Sequence, residues 1–181
     1  MALLLLLETS SSIGSVSLSL DSSVIATVEL PEHNSHARAL TTSISNLLHS
    51  CNYTLPDLDA IAYSAGPGSY TGLRIGLSTA KGLAYVLDKP LIAIPTLQTL
   101  WEAVQKQYIN ENTYILPMVD ARREDAYVAV FNSAGTEVYP TQMVTVNDAF
   151  LDSISSYTNL IALGSATFKL KNFQWPRTFM L

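Results

Sequence analysis

The sequence predicts an α/β protein made of two halves, of which the second is the shorter. Short runs typical of strands interchange with longer runs in which apolar residues recur every three or four positions, as in helices. Over residues 1–108 the predicted order is three strands, then a helix, a strand, a helix, a strand and a helix. Over 109–181 the order of three strands, a helix and a strand restarts and stops early. We therefore expect two related domains, 1–108 and 109–181.

Three strands open the first half as an antiparallel meander. Leu3–Leu7 is an unbroken apolar run, which predicts a strand buried on both faces. In Ser15–Leu20 apolar residues alternate with serines, the pattern of a half-buried strand. Asp21-Ser22-Ser23 is a turn that leads into the third strand, Val24–Leu30.

Helices and short strands alternate in the rest of the first half. The first helix can be capped by Asn34 or Ser35. Buried strands at 60–64 and 91–94 flank a second helix that ends near Leu87. Thr96 or Thr99 can cap a third helix, since Thr99-Leu100-Trp101-Glu102 has the capping-box pattern. The first helix carries an apolar stripe at spacings of three and four: Ala37, Leu40, Ile44, Leu47, Leu48 and Cys51.

The second half begins with a hairpin. Tyr114–Asp120 and Ala126–Asn132 are its strands, and the charged segment 121–125 between them is interpreted as a solvated turn. A strand at 137–144, a helix at 148–156 and a strand at 160–163 complete the predicted order.

Composition and charge narrow the function classes. Charged residues make up 14% of the 181 residues, against about 25% in average domains, so we expect part of the surface to be covered by another subunit. The net charge of −5 disfavours direct nucleic-acid binding by this chain alone. The single cysteine, Cys51, indicates a reducing compartment. The apolar start ends at Glu8 without a basic segment before it, and no stretch is long enough to span a bilayer, so a cytoplasmic protein without membrane contact is expected.

A glycine-rich segment, Gly66-Pro67-Gly68-Ser69-Tyr70-Thr71-Gly72, lies between a predicted strand and the second helix. Backbone N–H groups at a helix start can bind an anion. The glycine spacing nevertheless differs from the dinucleotide fingerprint, and Leu73 rather than lysine follows the last glycine, which excludes a P-loop. The favoured interpretation is a tight turn whose glycines allow positive φ or close packing.

The helix after this segment carries small residues on one face. Gly72, Gly76, Ala80 and Ala84 are four apart, a spacing that lets another helix approach closely. That helix could be the first helix or one from a partner subunit, and an ordinary core helix is the alternative.

Candidate catalytic groups are few, and we predict neither a catalytic residue nor a metal site. His33, His36 and His49 do not have metal-ligand spacing. Glu8 and Asp120 each follow the first strand of a half and could hold a metal-bound nucleotide, but turn chemistry explains them as well.

Several segments of the sequence, taken in their order along the chain, resemble the TsaB (YeaZ) family of the bacterial tRNA threonylcarbamoyladenosine machinery. The most specific is Gly66–Gly76, and the match spans roughly 3–132 and continues weakly to Gly164. The supporting segments are Leu4–Ser10, His36 at the first helix, Ile94-Pro95-Thr96-Leu97, and Asp120-Ala121-Arg122-Arg123 followed by Tyr127.

The resemblance implies the actin/Hsp70/sugar-kinase-like fold, in which two ribonuclease-H-like halves enclose a nucleotide cleft. It implies a non-catalytic scaffold that pairs with a TsaD-like paralogue and supports a TsaE-like ATPase. The complex transfers threonylcarbamoyl to N6 of an adenosine next to the tRNA anticodon. ATP and Mg²⁺ would act in that complex rather than be bound by this chain. Without its partner, the same surface is expected to form a homodimer.

The resemblance also implies site residues. Glu8, Thr9 and Ser10 would be a remnant of a nucleotide site, with Glu8 where aspartate is commoner in the family. A second half shorter than the family's is expected, and the glycoprotease-like label given to such proteins has no support in these residues. The alternative is an enzyme of the same fold, a small-molecule kinase or a metallopeptidase, whose second phosphate loop would lie near Gly164-Ser165. The expected partner surface comprises His36, Leu40, Ile44, Leu47, Arg74, Leu77, Ser78 and Lys81.

Overall fold

Two sheets organise the chain in its computed structural model, which describes residues 1–30, 36–104 and 110–173, without the side chains of 36–38 and 172. The backbone forms two units, Met1–Pro95 and Thr96–Leu181. The division lies between Pro95 and Thr96 rather than after residue 108, where the order of predicted elements restarts. His33 and the two candidate caps, Asn34 and Ser35, lie outside the described residues.

Unit 1 contains a five-stranded sheet of order β3-β2-β1-β4-β5. Strand β1 lies at its centre, antiparallel to β2 and parallel to β4. A short 3-10 helix, Leu55–Asp57, precedes β4. The elements are β1 (Leu3–Glu8), β2 (Gly14–Leu20), β3 (Ser23–Leu30), α1 (His36–Ser50), β4 (Ala60–Gly66), α2 (Tyr70–Leu87) and β5 (Leu91–Pro95).

The core of unit 1 forms where both helices meet one face of this sheet. Leu3, Leu5 and Leu7 of β1 are buried in one cluster with apolar residues of α1 and with Ala80 and Ala84 of α2. Two strand predictions were wrong. The other face of β1 is only half-buried, because these helices cover one face of the sheet, and all of Leu91–Pro95 is exposed, because β5 is an edge strand.

Unit 2 contains a four-stranded sheet of order β8-β7-β6-β9, with β9 parallel to β6. Both units therefore share an antiparallel three-strand meander with a parallel fourth strand beside the first, as the restart in the sequence predicted. The elements are α3 (Thr96–Glu102), β6 (Tyr114–Asp120), β7 (Asp125–Asn132), β8 (Glu137–Thr145), α4 (Asp148–Ser153), β9 (Leu160–Leu163) and a 3-10 helix (Thr167–Asn172).

Packing in unit 2 explains why α3 belongs to it. Leu97 is buried in one cluster with Ala129 and Phe131 of β7, and the Trp101 Nε1 donates to the Asn132 carbonyl at 3.2 Å. Because α3 begins at Thr96, the capping-box interpretation of Thr99 was wrong. Helix α4 ends at Ser153, three residues before its predicted end.

Candidate functional site

The glycine string (Gly66–Gly76) connects β4 to α2, and its second part is helical. Helix α2 begins at Tyr70, so Tyr70, Thr71 and Gly72 form its first turn rather than a loop before it. Ser69 is the N-cap, and its Oγ accepts from the Gly72 N–H at 3.3 Å, because a serine before the first turn satisfies a helix amide that has no partner inside the helix. The string is thus a compact strand-to-helix turn.

Close packing against the end of β1 explains the glycines. A Cβ added to Gly68 would lie 2.4 Å from the Ser10 carbonyl oxygen, and one added to Gly72 would lie 2.1 Å from the Thr9 carbonyl oxygen. A Cβ on Gly76 would lie 2.2 Å from the Thr9 Oγ1. These distances are far below van der Waals contact, so only glycine fits. The geometry supports the packing interpretation of the string over an anion site.

The small-residue face of α2 is accordingly the side turned towards the sheet. Its buried residues are Gly72, Gly76, Ala80 and Ala84. The end of β1 occupies the space at the first two of these residues. Ala80 and Ala84 share a core cluster with Leu40 and Ile44 of α1, so the first helix approaches the other end of this face, as one of the predicted alternatives had it.

Glu8, Thr9 and Ser10, the predicted remnant of a nucleotide site, form the other side of this contact. The Glu8 carboxylate accepts from the Ser10 N–H at 2.6 Å, from the Ser10 hydroxyl at 2.5 Å and from the Ser64 hydroxyl. The Ser10 carbonyl accepts from the Ser69 N–H at 2.7 Å. These hydrogen bonds brace β1 against the glycine string and use much of the carboxylate's accepting capacity.

The outer face of α2 is exposed and rich in apolar and aromatic side chains. Tyr70 is 74% exposed, Tyr85 87% and Val86 80%, and Leu77 is also exposed. The Arg74 guanidinium lies 5.4 Å from the centre of the Tyr70 ring. A shallow groove runs along this face, lined by Tyr70, Thr71, Arg74, Ile75, Ser78 and Thr79.

The structure separates the predicted partner residues by helix. On α2, Arg74, Leu77, Ser78 and Lys81 are exposed. On α1 the prediction was wrong, because Leu40, Ile44 and Leu47 are buried in the core of their own unit. Helix α1 begins at His36, whose side chain lies outside the described residues. The exposed face of α1 is polar and carries Thr41, Thr42, Ser45, Asn46 and His49.

The predicted partner surface did not include Tyr70, Tyr85 and Val86, although Tyr70 was predicted as part of the glycine-rich segment. The signal was present, because Tyr70 and Tyr85 lie opposite the small-residue face on a helical projection and so belong with Arg74 and Lys81. Once one face of α2 contacts the sheet, a helical projection places these side chains outside.

The carboxylate at the start of unit 2 is also engaged within the protein. Asp120 lies 2.5 Å from the Lys169 Nζ, and the Asp120 N–H donates to the Ser165 Oγ at 3.0 Å. A Cβ on Gly164 would lie 2.4 Å from the Met118 carbonyl oxygen, so this glycine packs against β6. In the three described ranges, no three His, Cys, Asp or Glu side chains gather as a metal site would require. Among the described helices, none has the length and apolar character to cross a bilayer.

Comparison with known proteins relates the chain to one family. A family model described as "TsaD: tRNA N6-adenosine threonylcarbamoyltransferase" matches residues 25–178. The tRNA threonylcarbamoyladenosine biosynthesis protein TsaB of Escherichia coli is 34% identical, over 71% of this chain and 54% of its own length. The TsaB protein of Bacillus subtilis is 33% identical, over 80% of this chain and 63% of its own length. The chain thus spans less than two thirds of these relatives.

A solved structure shares the fold. YeaZ from Pseudomonas aeruginosa superimposes with a TM-score of 0.79 at 23% identity, covering 100% of this chain and 85% of that one. The predicted α/β fold class is confirmed, and the fold is the one that YeaZ has.

Proposed function

The chain belongs to the family of the tRNA N6-adenosine threonylcarbamoyltransferase TsaD, in its TsaB (YeaZ) branch, and on that premise we propose that it is a scaffold subunit. In this proposal it is non-catalytic and works in the cytoplasm. It pairs with a TsaD-like paralogue, supports a TsaE-like ATPase, and helps to install N6-threonylcarbamoyl on an adenosine next to the tRNA anticodon. ATP and Mg²⁺ act in the complex, and the chain alone does not bind nucleic acid.

The outer face of α2 is the observation that carries the proposal. Tyr85 and Val86 are more than three quarters exposed near the end of this 18-residue helix. Near its start, the Arg74 guanidinium lies over the exposed ring of Tyr70. Tyrosine and arginine are, with tryptophan, the side chains enriched at the energetic centre of protein interfaces. An exposed apolar face on a rigid helix indicates a surface that a partner covers.

The partner surface proposed from the structure is therefore narrower than the one expected from the sequence. It uses Arg74, Leu77, Ser78 and Lys81 with Tyr70, Tyr85 and Val86, and it omits Leu40, Ile44 and Leu47. In the absence of the paralogue, two copies of the chain associate through the same face as a homodimer.

The enzyme alternatives gain no support from the candidate acids. Glu8 accepts hydrogen bonds from Ser10 and Ser64, and Asp120 pairs with Lys169. Calorimetry with Mg-ATP tests this part of the proposal, since micromolar binding with turnover by the chain alone would favour a kinase.

The first experiment is to measure the mass in solution, by light scattering after size exclusion, of the chain alone and mixed with a TsaD-like protein from the same organism. We expect a homodimer that converts to a 1:1 heterodimer. The double variant Leu77→Glu, Tyr85→Glu should stay folded by circular dichroism and remain a monomer in both samples, because two charges would be buried at the contact.

A matched control places the same acidic change on another exposed apolar residue of unit 1. Val24 of β3 is 61% exposed, and Val24→Glu should form both dimers normally. A double variant that still forms heterodimers would refute the α2 surface. A wild-type chain that stays monomeric beside the TsaD-like protein would refute the scaffold proposal itself.

A further inference from the structure

The turn between β6 and β7, here called the arginine turn (Asp120–Asp125), has an unusual backbone for its side chains. Arg122 has φ 71° and Arg123 has φ 45°, both in the left-handed region. Glycine, asparagine and aspartate are the residues that usually adopt this conformation in hairpin turns, because a Cβ is disfavoured there. Chain reversal alone would be served better by asparagine and glycine, so the two arginines need another reason.

The buried side chain of Lys169 contacts the arginine turn at three oxygen atoms. The Lys169 side chain is 3% exposed, and its Nζ lies 2.5 Å from Asp120 Oδ1 and 3.4 Å from the Arg122 carbonyl oxygen. It also donates to the Asp125 carbonyl oxygen. Burying an ammonium group is unfavourable unless it is fully paired. Here that pairing holds both ends of the arginine turn in one conformation.

The hydrogen bonds described for Asp120 and Asp125 go to groups other than the two guanidinium groups of the turn. Asp120 Oδ1 accepts from the Arg122 N–H at 3.1 Å as well as facing Lys169, and Asp125 Oδ1 accepts from the Thr145 hydroxyl at 2.7 Å. Arg122 and Arg123 are exposed, together with the turn's remaining acid, Glu124.

The 3-10 helix that supplies Lys169 carries two more exposed groups, and the ring of one of them, Phe168, lies 5.6 Å from the Lys169 Nζ. Phe168, which precedes the lysine, is 53% exposed, and Lys171 is exposed as well. The arginine turn therefore exposes two guanidinium groups beside the carboxylates of Asp120 and Glu124, within a chain whose net charge is −5.

We propose that the arginine turn binds phosphate groups of the RNA substrate inside the assembly, an inference that rests on the proposed function. Guanidinium groups pair with phosphate oxygens through two parallel hydrogen bonds, and exposed rings stack on unpaired bases. The turn is held rigid before binding, so little ordering is required on contact. The net negative charge of the chain explains why this contact needs the assembly to bring the RNA close.

The experiment compares the wild-type assembly with one that contains the variant Arg122→Asn, Arg123→Gly. The RNA is a synthetic 17-nucleotide anticodon stem-loop with an adenosine 3′ to the anticodon, and its affinity is measured across a salt series. Two lost phosphate contacts should weaken binding about tenfold at moderate salt and reduce the slope of log K against log salt by about two. Lys89→Gln, which removes a cation from unit 1, should leave both quantities unchanged.

The thermal stability of the Arg122→Asn, Arg123→Gly variant distinguishes a loss of RNA binding from a loss of folding. Asparagine and glycine suit left-handed positions, so its thermal midpoint should be equal to or above that of the wild type while RNA affinity falls. The variant Arg122→Gln, Arg123→Gln removes the same charges with less change to the backbone preference and should lose affinity to the same extent.

Each other outcome overturns the proposal in a distinguishable way. If the variant assembly has the normal mass and normal RNA affinity, the arginine turn does not contact RNA, and the scaffold proposal stands. If the arginine variants fail to assemble, the turn contacts an acidic protein segment instead. If the wild-type chain itself does not assemble, the scaffold proposal fails and this inference fails with it.

Discussion

The glycine string and the arginine turn are both connections that follow a strand, yet their backbone constraints have opposite explanations. In the string, Gly68 and Gly72 lie against the carbonyl oxygens of Ser10 and Thr9, and each missing side chain is accounted for by a neighbouring atom. In the arginine turn, Arg122 and Arg123 have positive φ angles, which favour glycine, asparagine and aspartate. Both nevertheless carry long, exposed side chains.

This difference shows which backbone constraints a sequence motif can reveal. The string is the more specific pattern, and the tight packing favoured for it over an anion site agrees with the structure. The arginine turn resembled an ordinary solvated hairpin. Its unusual features became visible only when the φ angles and the buried Lys169 were known. Constraint that packing explains is structural, and constraint that packing leaves unexplained is the better guide to a binding site.

The largest expected effect tests the packing explanation of the glycine string. Gly72→Ala should lower the free energy of unfolding by about 3 kcal/mol, because its Cβ would lie 2.1 Å from the Thr9 carbonyl oxygen and the strand end would have to move. Urea unfolding measures this. Gly82→Ala, in the same helix with no atom within 4 Å of the added Cβ, should instead stabilise by about 0.5–1 kcal/mol. Equal stability of Gly72→Ala and the wild type would remove the packing explanation.

The second effect tests the support of the arginine turn. Lys169→Met should lower the free energy of unfolding by about 2 kcal/mol, since Asp120 and two backbone carbonyls lose a buried cation. The value is below that for fully buried pairs, because the Asp120 side chain is 40% exposed and water can replace part of the contact.

The control for this change is in the same short helix. Lys171 is exposed, so Lys171→Met should change stability by less than about 0.5 kcal/mol. If both methionine variants unfold at the same urea concentration, Lys169 does not hold the turn, and the rigidity of the arginine turn would need another source.

The third effect concerns the acid beside the glycine string. Glu8→Gln should lower stability by about 1 kcal/mol, because the hydrogen bonds from Ser10 and Ser64 to a charged carboxylate become bonds to a neutral amide. Glu29→Gln, on exposed β3, serves as the control and should be neutral. A stabilised Glu8→Gln would indicate that the carboxylate is kept for a ligand rather than for packing.

The smallest expected effect concerns Asp57 in the short 3-10 helix before β4, which belongs to neither the glycine string nor the arginine turn. Asp57 accepts from the Thr54 hydroxyl and from the Thr54 N–H, and these bonds lower the pKa of its carboxyl below the ordinary 3.8. A lowered pKa contributes stability above pH 3.8 that disappears as the pH falls through the folded-state value. Asp57→Asn should be slightly less stable than the wild type at about pH 6, and the difference should shrink as the pH falls through the folded-state pKa. A gap that persists in acid would contradict this origin.

Much of the fold could be predicted because its elements are local patterns. The alternation of Val16, Leu18 and Leu20 with serines predicted β2, and the charged break after Asp120 predicted the β6–β7 hairpin. The unbroken leucine run of β1 and the apolar β5 misled, because burial on the second face depends on what covers a sheet, which no local pattern contains.

The site was less predictable for the same reason. A stripe such as Leu40, Ile44 and Leu47 identifies an apolar face, but the sequence does not state whether a sheet or a partner covers it. Lys169 is separated from Asp120 by most of unit 2, so their pairing appears only when the 3-10 helix is placed beside the turn. Which face of a helix is covered and which distant side chains meet are properties of the three-dimensional structure, and no local sequence pattern contains them.

The central position of β1 has a consequence for synthesis on the ribosome. Its first partner, β2, follows at once, but its second partner is Ala60–Tyr63 of β4. Until those residues emerge, a strand that contains five consecutive leucines keeps one open edge, which is the kind of segment that chaperones recognise and that drives aggregation. Codon changes or stalls that delay β4 should therefore reduce soluble yield, and delays of β9 should act in the same way on β6, whose parallel partner also comes late in the chain.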